Sequence, residues 1–505
     1  MMQYKELLLI PIIMGCLYGC ANERVATEIT PEAKQEITLP FTADWESLKQ
    51  HQTPEWFRDA KFGIYTHWGP YSVPAYYTEW YPHGMYEKDG FRKKDFFGHH
   101  TKTWGHPSEF GYKDFLPMFD GAQFDAEEWA DLFQKSGARF AGPVAVHHDG
   151  FVMWDSDLTK WDAKEMGPKR DIVGELEIAI RTRSMHFVTS FHHARNWSLY
   201  DHDSSYDTGD PQYAYVGSMY GPIHEKRAPH SEEYLLDWQH KIEEVIEKYD
   251  PDLLWFDGAW GKGAFEPYKK DFIHNYYNKA QAAGKEVGIT YKKDNLPEGV
   301  GIKDNERGSM AELSPEAWLT DNSVMSNSWG YIKNPKYFTS NWLIDELIDV
   351  VSKNGSMLLN VGPDRHGKID DESKRRLLDI GKWLEMNGEA IYGTRPWTSY
   401  GEGPTFVEGG GHNRRKGEFT AGDIRYTTRD NDLYIIVMDW PENGVATVKD
   451  IWSELQKNST EINRIEMLGS GPINDWFLSE TELKVTFPQS KPCEHAFVLK
   501  CELVK

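Results

Sequence analysis

The sequence predicts an α/β fold, with a barrel of parallel strands and surrounding helices followed by a smaller antiparallel β-sandwich. Short apolar strands alternate with amphipathic helices between about residues 61 and 386, which is typical of a parallel barrel. Polar side chains recur where these strands end, as they do at the catalytic end of such barrels. From about Trp397 the chain changes to short strands broken by turns, which favours a sandwich. A length of 505 residues suits one large and one smaller domain.

The helices of the barrel region carry clear start and stop signals. Asp125 and Glu128 form a capping box before an amphipathic run, and Pro251 ends the helix that begins near Ser231. Helices are predicted over residues 45–60, 125–137, 172–183, 231–249, 268–283, 341–353 and 372–386. Strands are predicted over residues 61–66, 139–146, 186–191, 252–256, 287–291 and 357–363.

Two further stretches differ from this alternation. The aromatic segment from Tyr71 to Met118 has no regular period, and loops of that length usually build binding sites. Gly409 to Gly411 is expected to be a flexible loop in the C-terminal domain. The sandwich strands are predicted over residues 424–427, 433–437, 482–486 and 496–499.

Composition narrows the possible partners. The formal net charge of -23 makes the mean surface field repel nucleic acid and anionic membranes, so nucleic-acid binding is not expected. A local basic patch that faces an anionic substrate remains compatible with this value, because net charge does not report how charge is distributed. Many of the 20 Trp and 26 Tyr residues must belong to the core, but both side chains also suit a sugar-binding cleft, because they can stack on sugar rings while their polar atoms find partners.

The N-terminal residues predict export rather than a folded element. Lys5 precedes an apolar run that is too short to span a bilayer and that ends at Leu17-Tyr18-Gly19-Cys20. This ending resembles a bacterial lipobox with Cys20 as the acylated residue, and an ordinary secretory signal cleaved nearby is the alternative. We therefore predict a signal over residues 1–20, a tether over 21–41, a catalytic domain over 42–396 and a sandwich over 397–505. The expected location is that of a periplasmic or outer-membrane lipoprotein of a Gram-negative bacterium, with Cys20 as its only membrane contact.

Two cysteines remain in the expected mature domains. Cys493 and Cys501 are eight residues apart, and on one extended strand they would be separated by about 26 Å. We expect both thiols to be unpaired, so no disulfide framework supports the fold.

Polar residues at the predicted strand ends form the candidate site. Asp257 follows the apolar strand Asp252-Leu253-Leu254-Trp255-Phe256, and Glu306 lies in the loop after the next predicted strand. Because the carboxyl ends of barrel strands meet at one face, these side chains are expected to lie close together. The full set is His67, His147, His148, His192, His193, Asp257 and Glu306.

Two classes of catalytic chemistry fit this set of residues, and the third alternative is a protein that does not catalyse a reaction. Imidazoles can bind sugar hydroxyls while Asp257 attacks an anomeric carbon and a second carboxyl group protonates the leaving oxygen. Alternatively, the histidines can bind a metal that activates water. Adjacent strand residues point to opposite faces, so we expect that His147 and His148 cannot ligate one ion without a bend. A non-catalytic glycan-binding lipoprotein is the third alternative, although the presence of Asp257 argues against it.

A series of motifs from about residue 42 to 395 resembles one enzyme family. These motifs are Lys61-Phe62-Gly63-Ile64, His67-Trp68-Gly69-Pro70, Glu79-Trp80-Tyr81, His147-His148-Asp149-Gly150-Phe151, Gly167-Pro168-Lys169-Arg170-Asp171, Leu254-Trp255-Phe256-Asp257, Ser328-Trp329-Gly330-Tyr331 and Leu358-Leu359-Asn360-Val361-Gly362-Pro363. In this order they are similar to the α-L-fucosidases of glycoside hydrolase family 29.

The resemblance implies both a fold and an activity. It implies a (β/α)8-like barrel with a C-terminal β-sandwich and, without a metal or other cofactor, retaining hydrolysis of terminal α-L-fucose from a fucosylated oligo- or polysaccharide. Asp257 is implied as the nucleophile of a covalent fucosyl-enzyme intermediate. By motif matching, the resemblance implies that the fucose pocket is lined by His67, Glu79, Trp80, His147 and His148. We also expect His192 and Trp329 to bind substrate, although the segment Ser190-Phe191-His192-His193 departs from the family pattern.

The resemblance specifies the acid/base less firmly, because the family places it in a variable loop. Glu306 suits that position and Glu312 is its rival. We expect apolar walls and neighbouring negative charge to keep Glu306 protonated while Asp257 stays ionised. The chain departs from the family pattern after the strand at 287–291, where Lys293 is expected to replace an arginine near the glycosidic oxygen.

Overall fold

A computed structural model of the chain describes residues 40–412, 415–449 and 451–504. The predicted signal, Cys20 and most of the predicted tether therefore lie outside the described residues. Among the described helices, none is both long and apolar enough to cross a membrane. Residues from Phe41 to Lys505 form one compact unit.

The predicted barrel is confirmed as a closed sheet of eight parallel strands. The strands are β1 (Phe62–Thr66), β2 (Phe140–Val146), β3 (His186–Phe191), β4 (Leu253–Phe256), β5 (Gly288–Lys292), β6 (Ile302–Asp304), β7 (Trp318–Ser323) and β8 (Gly355–Val361). Each strand pairs with the next, and β1 also pairs with β8, with Gly63 opposite Leu358, to close the ring.

Helices cover the outside of this sheet and precede most strands. They are α1 (Trp45–Leu48), α2 (Glu55–Ala60), α3 (Tyr81–Gly84), α4 (Phe96–Thr103), α5 (Ala126–Lys135), α6 (Ile172–Thr182), α7 (Glu232–Tyr249), α8 (Glu266–Ala282), α9 (Ser340–Ser352) and α10 (Asp371–Asn387). The predicted caps form: the Asp125 carboxylate accepts from the first-turn amides of α5, and Ser231 does the same for α7.

Three predictions about local structure are wrong. The predicted helix over residues 45–60 is in fact two short helices. The first ends at Leu48, and the second begins after Pro54, its N-cap residue. The stretch from Tyr71 to Met118 is not structureless, because it contains α3 and α4. Strands β6 and β7 were not predicted: β6 has three residues, and β7 carries buried polar side chains that do not read as an apolar strand.

The C-terminal region forms two antiparallel sheets. Their strands are β9 (Arg395–Glu402), β10 (Ile424–Arg429), β11 (Asp432–Val437), β12 (Val445–Val448), β13 (Glu461–Met467), β14 (Gly471–Ile473), β15 (Trp476–Leu478), β16 (Leu483–Thr486) and β17 (Phe497–Val504), with one helix, α11 (Ile451–Lys457). Six strands in the order β14-β13-β17-β11-β10-β9 form one sheet, and β12-β16-β15 form the other. Apolar side chains of both sheets share one core, which includes Ile435 and Val485.

Polar contacts join these sheets to the barrel. Arg425 of β10 donates to Asp349 of α9 at 2.7 Å, and both side chains are buried. Cys493 and Cys501 are free thiols, as expected. They do not share a strand, because Cys493 precedes β17 and Cys501 lies within it.

Candidate active site

A cavity of about 780 Å³ opens at the carboxyl ends of the barrel strands. This size lies toward the upper end of the range for small-molecule sites, about 300–1,000 Å³. All ten side chains in the predicted catalytic and sugar-binding set line it: His67, Glu79, Trp80, His147, His148, His192, Asp257, Lys293, Glu306 and Trp329. The barrel places them there because His67, His147, His192 and Asp257 directly follow β1, β2, β3 and β4.

Two other candidates do not reach the cavity. His193 was expected at the same face, but its Nε2 lies 3.1 Å from the backbone oxygen of Trp238, behind the barrel strands. Glu312, the rival acid/base, is exposed and does not line the cavity. The geometry therefore favours Glu306.

Three imidazoles form the floor of the cavity. The rings of His67, His147 and His192 are buried, with centroids 4.7–5.4 Å apart. Burial lowers the pKa of His67 to about 4, and burial lowers the pKa of the other two well below the usual range. All three are therefore neutral near pH 7 and can exchange hydrogen bonds with hydroxyl groups.

The floor histidines are also the group of described residues best placed to hold a metal ion. One nitrogen from each lies within 4.8 Å of the others. The buried Nδ1 atoms of His147 and His192 have no hydrogen-bond partner within the protein. The argument that His147 and His148 face opposite ways is wrong, because β2 ends at Val146 and both rings line the cavity.

One hydrogen bond fixes the orientation of His67. Its Nδ1 lies 2.8 Å from the Asn360 side-chain oxygen, while the Asn360 amide donates to the Trp329 backbone oxygen at 2.7 Å. Because the amide nitrogen is used as a donor, the amide oxygen must accept, so His67 Nδ1 carries the proton. His67 Nε2 is then left as an acceptor for a ligand hydroxyl.

Asp257 is surrounded by cationic and imidazole groups. Its carboxylate oxygens lie 3.4 Å from Lys292 Nζ, 3.2 Å from Arg195 Nε and 3.5 Å from His148 Nε2. Burial would raise the pKa of Asp257, but these neighbours together hold it well below its usual range. Asp257 is therefore an ionised carboxylate, which is the state a nucleophile requires.

Glu306 and Asp257 share one ammonium group. Lys292 Nζ lies 2.9 Å from Glu306 Oε2 and 3.4 Å from Asp257 Oδ1, so these two oxygens are at most 6.3 Å apart. Burial raises the pKa of Glu306, but the charge of Lys292 outweighs it and the net shift is downward. The expectation that apolar walls keep Glu306 protonated is therefore wrong for the unliganded site, because its nearest neighbour is a cation.

Lys292 is the functional residue that sequence reasoning missed. Besides Asp257 and Glu306, its ammonium group lies 3.3 Å from Asp321 and 3.8 Å from Asp304. Burial lowers the pKa of Lys292, but the surrounding carboxylates raise it well above its usual range, so it remains charged. The predicted strand stopped at residue 291. The observed β5 ends one residue later, which puts Lys292 on the inward face two positions after Thr290.

The buried acids behind Lys292 form a supporting cluster. Tyr65 donates to Asp321 at 3.0 Å, and the Asp321 amide donates to Asp304 at 3.1 Å. Burial together with the charge of Asp321 raises the pKa of Asp304 well above its usual range, so Asp304 holds a proton at neutral pH. This cluster fixes the ammonium group between the two catalytic candidates.

One wall of the cavity is built from the loop after β1 and the loop after β7. The buried Glu79 carboxylate accepts from the Trp329 amide at 3.1 Å and from the Ser328 hydroxyl at 3.2 Å. The neighbouring Trp80 ring lies 4.6 Å from the His148 ring. Two indole rings therefore flank the floor histidines, since Trp329 also lies beside His67 at 5.4 Å.

The C-terminal region also reaches the cavity. Gly410 and Ser309 exchange two backbone hydrogen bonds, and the His412 amide donates to the Glu306 backbone oxygen at 2.8 Å. His412 thereby lines the cavity beside Glu306. Nothing in the local sequence around Gly409 to Gly411 indicated this contact, because it depends on how the sheets pack against the barrel.

Most of the chain is similar to known proteins of one kind. The family model described as Alpha-L-fucosidase matches residues 28–389, and that described as Alpha-L-fucosidase C-terminal domain matches residues 417–502. The tissue alpha-L-fucosidase of Rattus norvegicus is 31% identical over 473 residues, which cover 91% of this chain and 92% of the relative. The tissue alpha-L-fucosidase of Homo sapiens is 30% identical, with 92% of each chain covered.

Solved structures show the same architecture. An alpha-fucosidase of Thermotoga maritima in complex with a mechanism-based inhibitor is 28% identical with a TM-score of 0.73, covering 92% of this chain and 100% of that one. The same enzyme in complex with fucose gives a TM-score of 0.71 at 28% identity, covering 91% and 100%.

Proposed function

This chain belongs to the alpha-L-fucosidase family of glycoside hydrolases, and from that premise we propose that it removes terminal α-L-fucose from oligo- or polysaccharides with retention of anomeric configuration. The observation that carries the proposal is the Lys292 ammonium group, which contacts both Asp257 and Glu306. Retaining enzymes hold their two carboxyl groups about 5 Å apart, whereas inverting enzymes need about 6.5–9.5 Å to admit a water. An oxygen separation of at most 6.3 Å lies below the inverting range and supports retention.

In the first step, Asp257 is the nucleophile and Glu306 the acid. An Asp257 oxygen bonds to the anomeric carbon while the glycosidic bond breaks, and Glu306 donates its proton to the departing oxygen. Glu306 must gain that proton before the step. Substrate that fills the cavity displaces water from Glu306, which raises its pKa from the depressed value of the unliganded site.

In the second step, the change in charge at Asp257 reverses the role of Glu306. The ester formed by Asp257 is neutral, so its carboxylate no longer raises the pKa of Glu306, while Lys292 continues to lower it. Glu306 then acts as a base that takes a proton from water as the water oxygen bonds to the anomeric carbon and the bond between that carbon and the Asp257 oxygen breaks. Fucose leaves, and both carboxyl groups return to their starting states.

The floor and its walls would select the sugar. Neutral His147 and His192 suit the ring hydroxyls, because each imidazole can both donate and accept, and His67 Nε2 can accept from a hydroxyl group. Trp80 offers an apolar surface to the C6 methyl group of fucose. A sugar with a hydroxymethyl group at that position would be disfavoured by only about 1–3 kcal/mol.

The stereochemical test uses proton NMR of an aryl α-L-fucoside reaction. We expect α-L-fucose as the first product of the wild type. Asp257→Gly is expected to lose about 10⁴-fold or more in kcat, and added azide should restore turnover with β-L-fucosyl azide as product. Azide enters from the face that the missing carboxylate occupied, so the configuration of the azide identifies the nucleophile.

Three outcomes would contradict the proposal. Formation of β-L-fucose first would indicate inversion. Loss of activity on treatment with a chelator, with recovery on addition of Zn²⁺, would favour a metal bound by the three floor histidines. Failure of the wild type to hydrolyse any fucoside would favour the glycan-binding alternative.

We also propose that the chain is exported and acylated at Cys20, on the basis of the segment Leu17-Tyr18-Gly19-Cys20. Metabolic labelling with an alkyne fatty acid in a Gram-negative host is expected to label the wild type and not Cys20→Ala. Equal labelling of both, or none, would reject the anchor and leave the enzymatic proposal untouched.

A further inference from the structure

Two cations at the mouth of the cavity have no carboxylate partner. Arg92 and Lys293 line the cavity and are exposed. Within the described part of the chain, no carboxylate lies within the ion-pair distance of 4.0 Å of either side chain. Because the whole chain carries 79 acidic residues against 56 basic ones, free cations at one opening are not what an average surface would give.

The other cations of the cavity are already used by the protein. Lys292 contacts buried carboxylates, and Arg195 contacts Asp257 at 3.2 Å. Arg307 donates to the backbone oxygens of Met325 and Ser326, both at 3.2 Å. Arg92 and Lys293 therefore differ from their neighbours in having charge and hydrogen-bond donors available for a ligand.

Arg92 is held in place although it is exposed. Its guanidinium group lies 5.0 Å from the centre of the Trp80 ring and 5.2 Å from that of Phe91. Its φ of 50° and the φ of 55° at Lys293 are both in the left-handed region, which side chains other than glycine adopt infrequently. Stacking against the rings leaves the in-plane N–H groups of the guanidinium free to pair with a planar or tetrahedral anion.

The position of these cations relative to the proposed chemistry indicates which part of the substrate they would meet. Trp80 contacts both buried His148, at 4.6 Å between ring centroids, and exposed Arg92, at 5.0 Å from its guanidinium group, so it links the buried part of the cavity to an exposed cation. Lys293 directly follows Lys292, which holds the proposed acid Glu306. Lys293 is therefore on the side from which the leaving group departs, and Arg92 lines the same cavity as a second exposed cation.

We propose that the mouth, defined as Arg92 and Lys293, binds an anionic sugar that is attached to the fucose, bearing a sulfate ester or a carboxylate. This inference rests on the proposed function, since it assigns the residue next to the cleaved fucose. A guanidinium group pairs with either anion through two parallel N–H donors, and the lysine ammonium adds a second point charge. The cavity of about 780 Å³ has room for a second sugar beyond fucose.

The test uses substrates that differ only in the charge of the second sugar. These are α-L-fucosyl-galactose, its galactose monosulfates with the sulfate at each free hydroxyl in turn, and the analogue with galactose oxidised to galacturonate. At low ionic strength we expect KM for at least one anionic substrate to be about tenfold below that of the neutral one. The preference is expected to fade in 0.5 M NaCl, where screening shortens the Debye length to about 4 Å. The sulfated and uronate arms distinguish the two sources of negative charge.

Matched variants separate a specific site from a general charge effect. Arg92→Gln and Lys293→Gln together are expected to bring the KM ratio of neutral to anionic substrate close to one. Lys93→Gln is the control: Lys93 is adjacent, exposed and also left-handed at φ 60°, but it does not line the cavity. The KM ratio of neutral to anionic substrate in Lys93→Gln is expected to equal that of the wild type.

Either of two results would overturn the inference. One is a wild-type enzyme that hydrolyses all the substrates with equal KM. The other is a Lys93→Gln variant that loses the preference as fully as Arg92→Gln with Lys293→Gln does. If the wild type does not hydrolyse an aryl α-L-fucoside at all, the proposed function fails first, so the two failures are distinguishable.

Discussion

The floor and the mouth of the cavity differ in how their polar groups are satisfied. At the floor, burial keeps the imidazoles neutral, and Asp257 is paired with Lys292 and Arg195. At the mouth, Arg92 is fixed by aromatic rings but has no anionic partner among the described residues. The charged groups at the floor are therefore paired within the protein. The charge of Arg92 at the mouth is instead available to pair with a ligand. Substitutions at the floor should therefore change the chemical step, and those at the mouth should change substrate preference.

After Asp257→Gly, the largest effect is expected from Glu306→Gln, beside the floor. Removal of the proposed acid should lower kcat by about 10²–10⁴-fold for substrates with poor leaving groups, and less for activated aryl fucosides. Glu312→Gln removes the same charge from an exposed residue outside the cavity, and its kinetics should match the wild type. Measurement of kcat for substrates with good and poor leaving groups, in both variants, checks this expectation. A large loss in Glu312→Gln with a normal Glu306→Gln would reverse the assignment.

Lys292→Met is expected to come next, with a loss of about 10²-fold and a displaced pH profile. Lys292 lowers the pKa of both Asp257 and Glu306, so its removal raises both. The acidic limb of kcat/KM requires ionised Asp257 and the basic limb requires protonated Glu306, so both limbs should move to higher pH. Measurement of kcat/KM from about pH 2.5 to 9 tests the direction of the shift, because the pKa values of Asp257 and Glu306 both lie below their usual ranges.

Two controls accompany the Lys292 variant. Lys293→Met removes the neighbouring exposed charge, and its limbs should stay where they are in the wild type. Lys292→Arg keeps the positive charge and should preserve the position of the limbs even if kcat falls. A downward shift of both limbs in Lys292→Met, or an equal shift in Lys293→Met, would contradict the role given to this ammonium group.

A smaller effect is expected from Asn360→Ala, which removes the group that orients His67. Loss of one buried hydrogen bond corresponds to about 1–3 kcal/mol, so kcat/KM should fall by about tenfold, shared between kcat and KM. The ring ¹⁵N shifts of His67 should show loss of the single tautomer. Asn387→Ala deletes another buried asparagine, on α10 away from the cavity, and should lower stability without this kinetic change. Equal kinetic loss in both variants would indicate a global effect.

The smallest effect is expected from His412→Asn, near the mouth. Asparagine tolerates the left-handed φ of 70° at this position and removes the imidazole. Because the hydrogen bond to Glu306 comes from the His412 backbone amide, and the imidazole lowers the pKa of Glu306 less than Lys292 does, kcat for an aryl fucoside should change by less than about threefold. A loss comparable to that of Glu306→Gln would show that the imidazole takes part in the chemistry and that the separation of floor and mouth is wrong.

The sequence predicted the residues of the cavity floor better than the residues that pack around them. His67, His147, His192 and Asp257 follow apolar strands, and the carboxyl ends of parallel strands must meet at one face of a barrel. Their convergence therefore follows from a pattern that each strand carries locally. His193 fails the same reasoning, because the short helical turn after β3 directs it toward Trp238. His192 therefore lines the cavity, whereas His193, one position later, packs outside the barrel.

By itself, the sequence determined the barrel, the antiparallel domain after it and the side chains at the strand ends, because periodicity and turn residues act over a few positions. The tertiary structure alone decided that Lys292 rather than Lys293 holds Glu306, that Glu306 is ionised in the unliganded site, and that His412 joins the barrel cavity. The ionisation state of Glu306 depends on charges that other strands deliver within about 4 Å, and such distances between remote segments are not encoded in any local pattern.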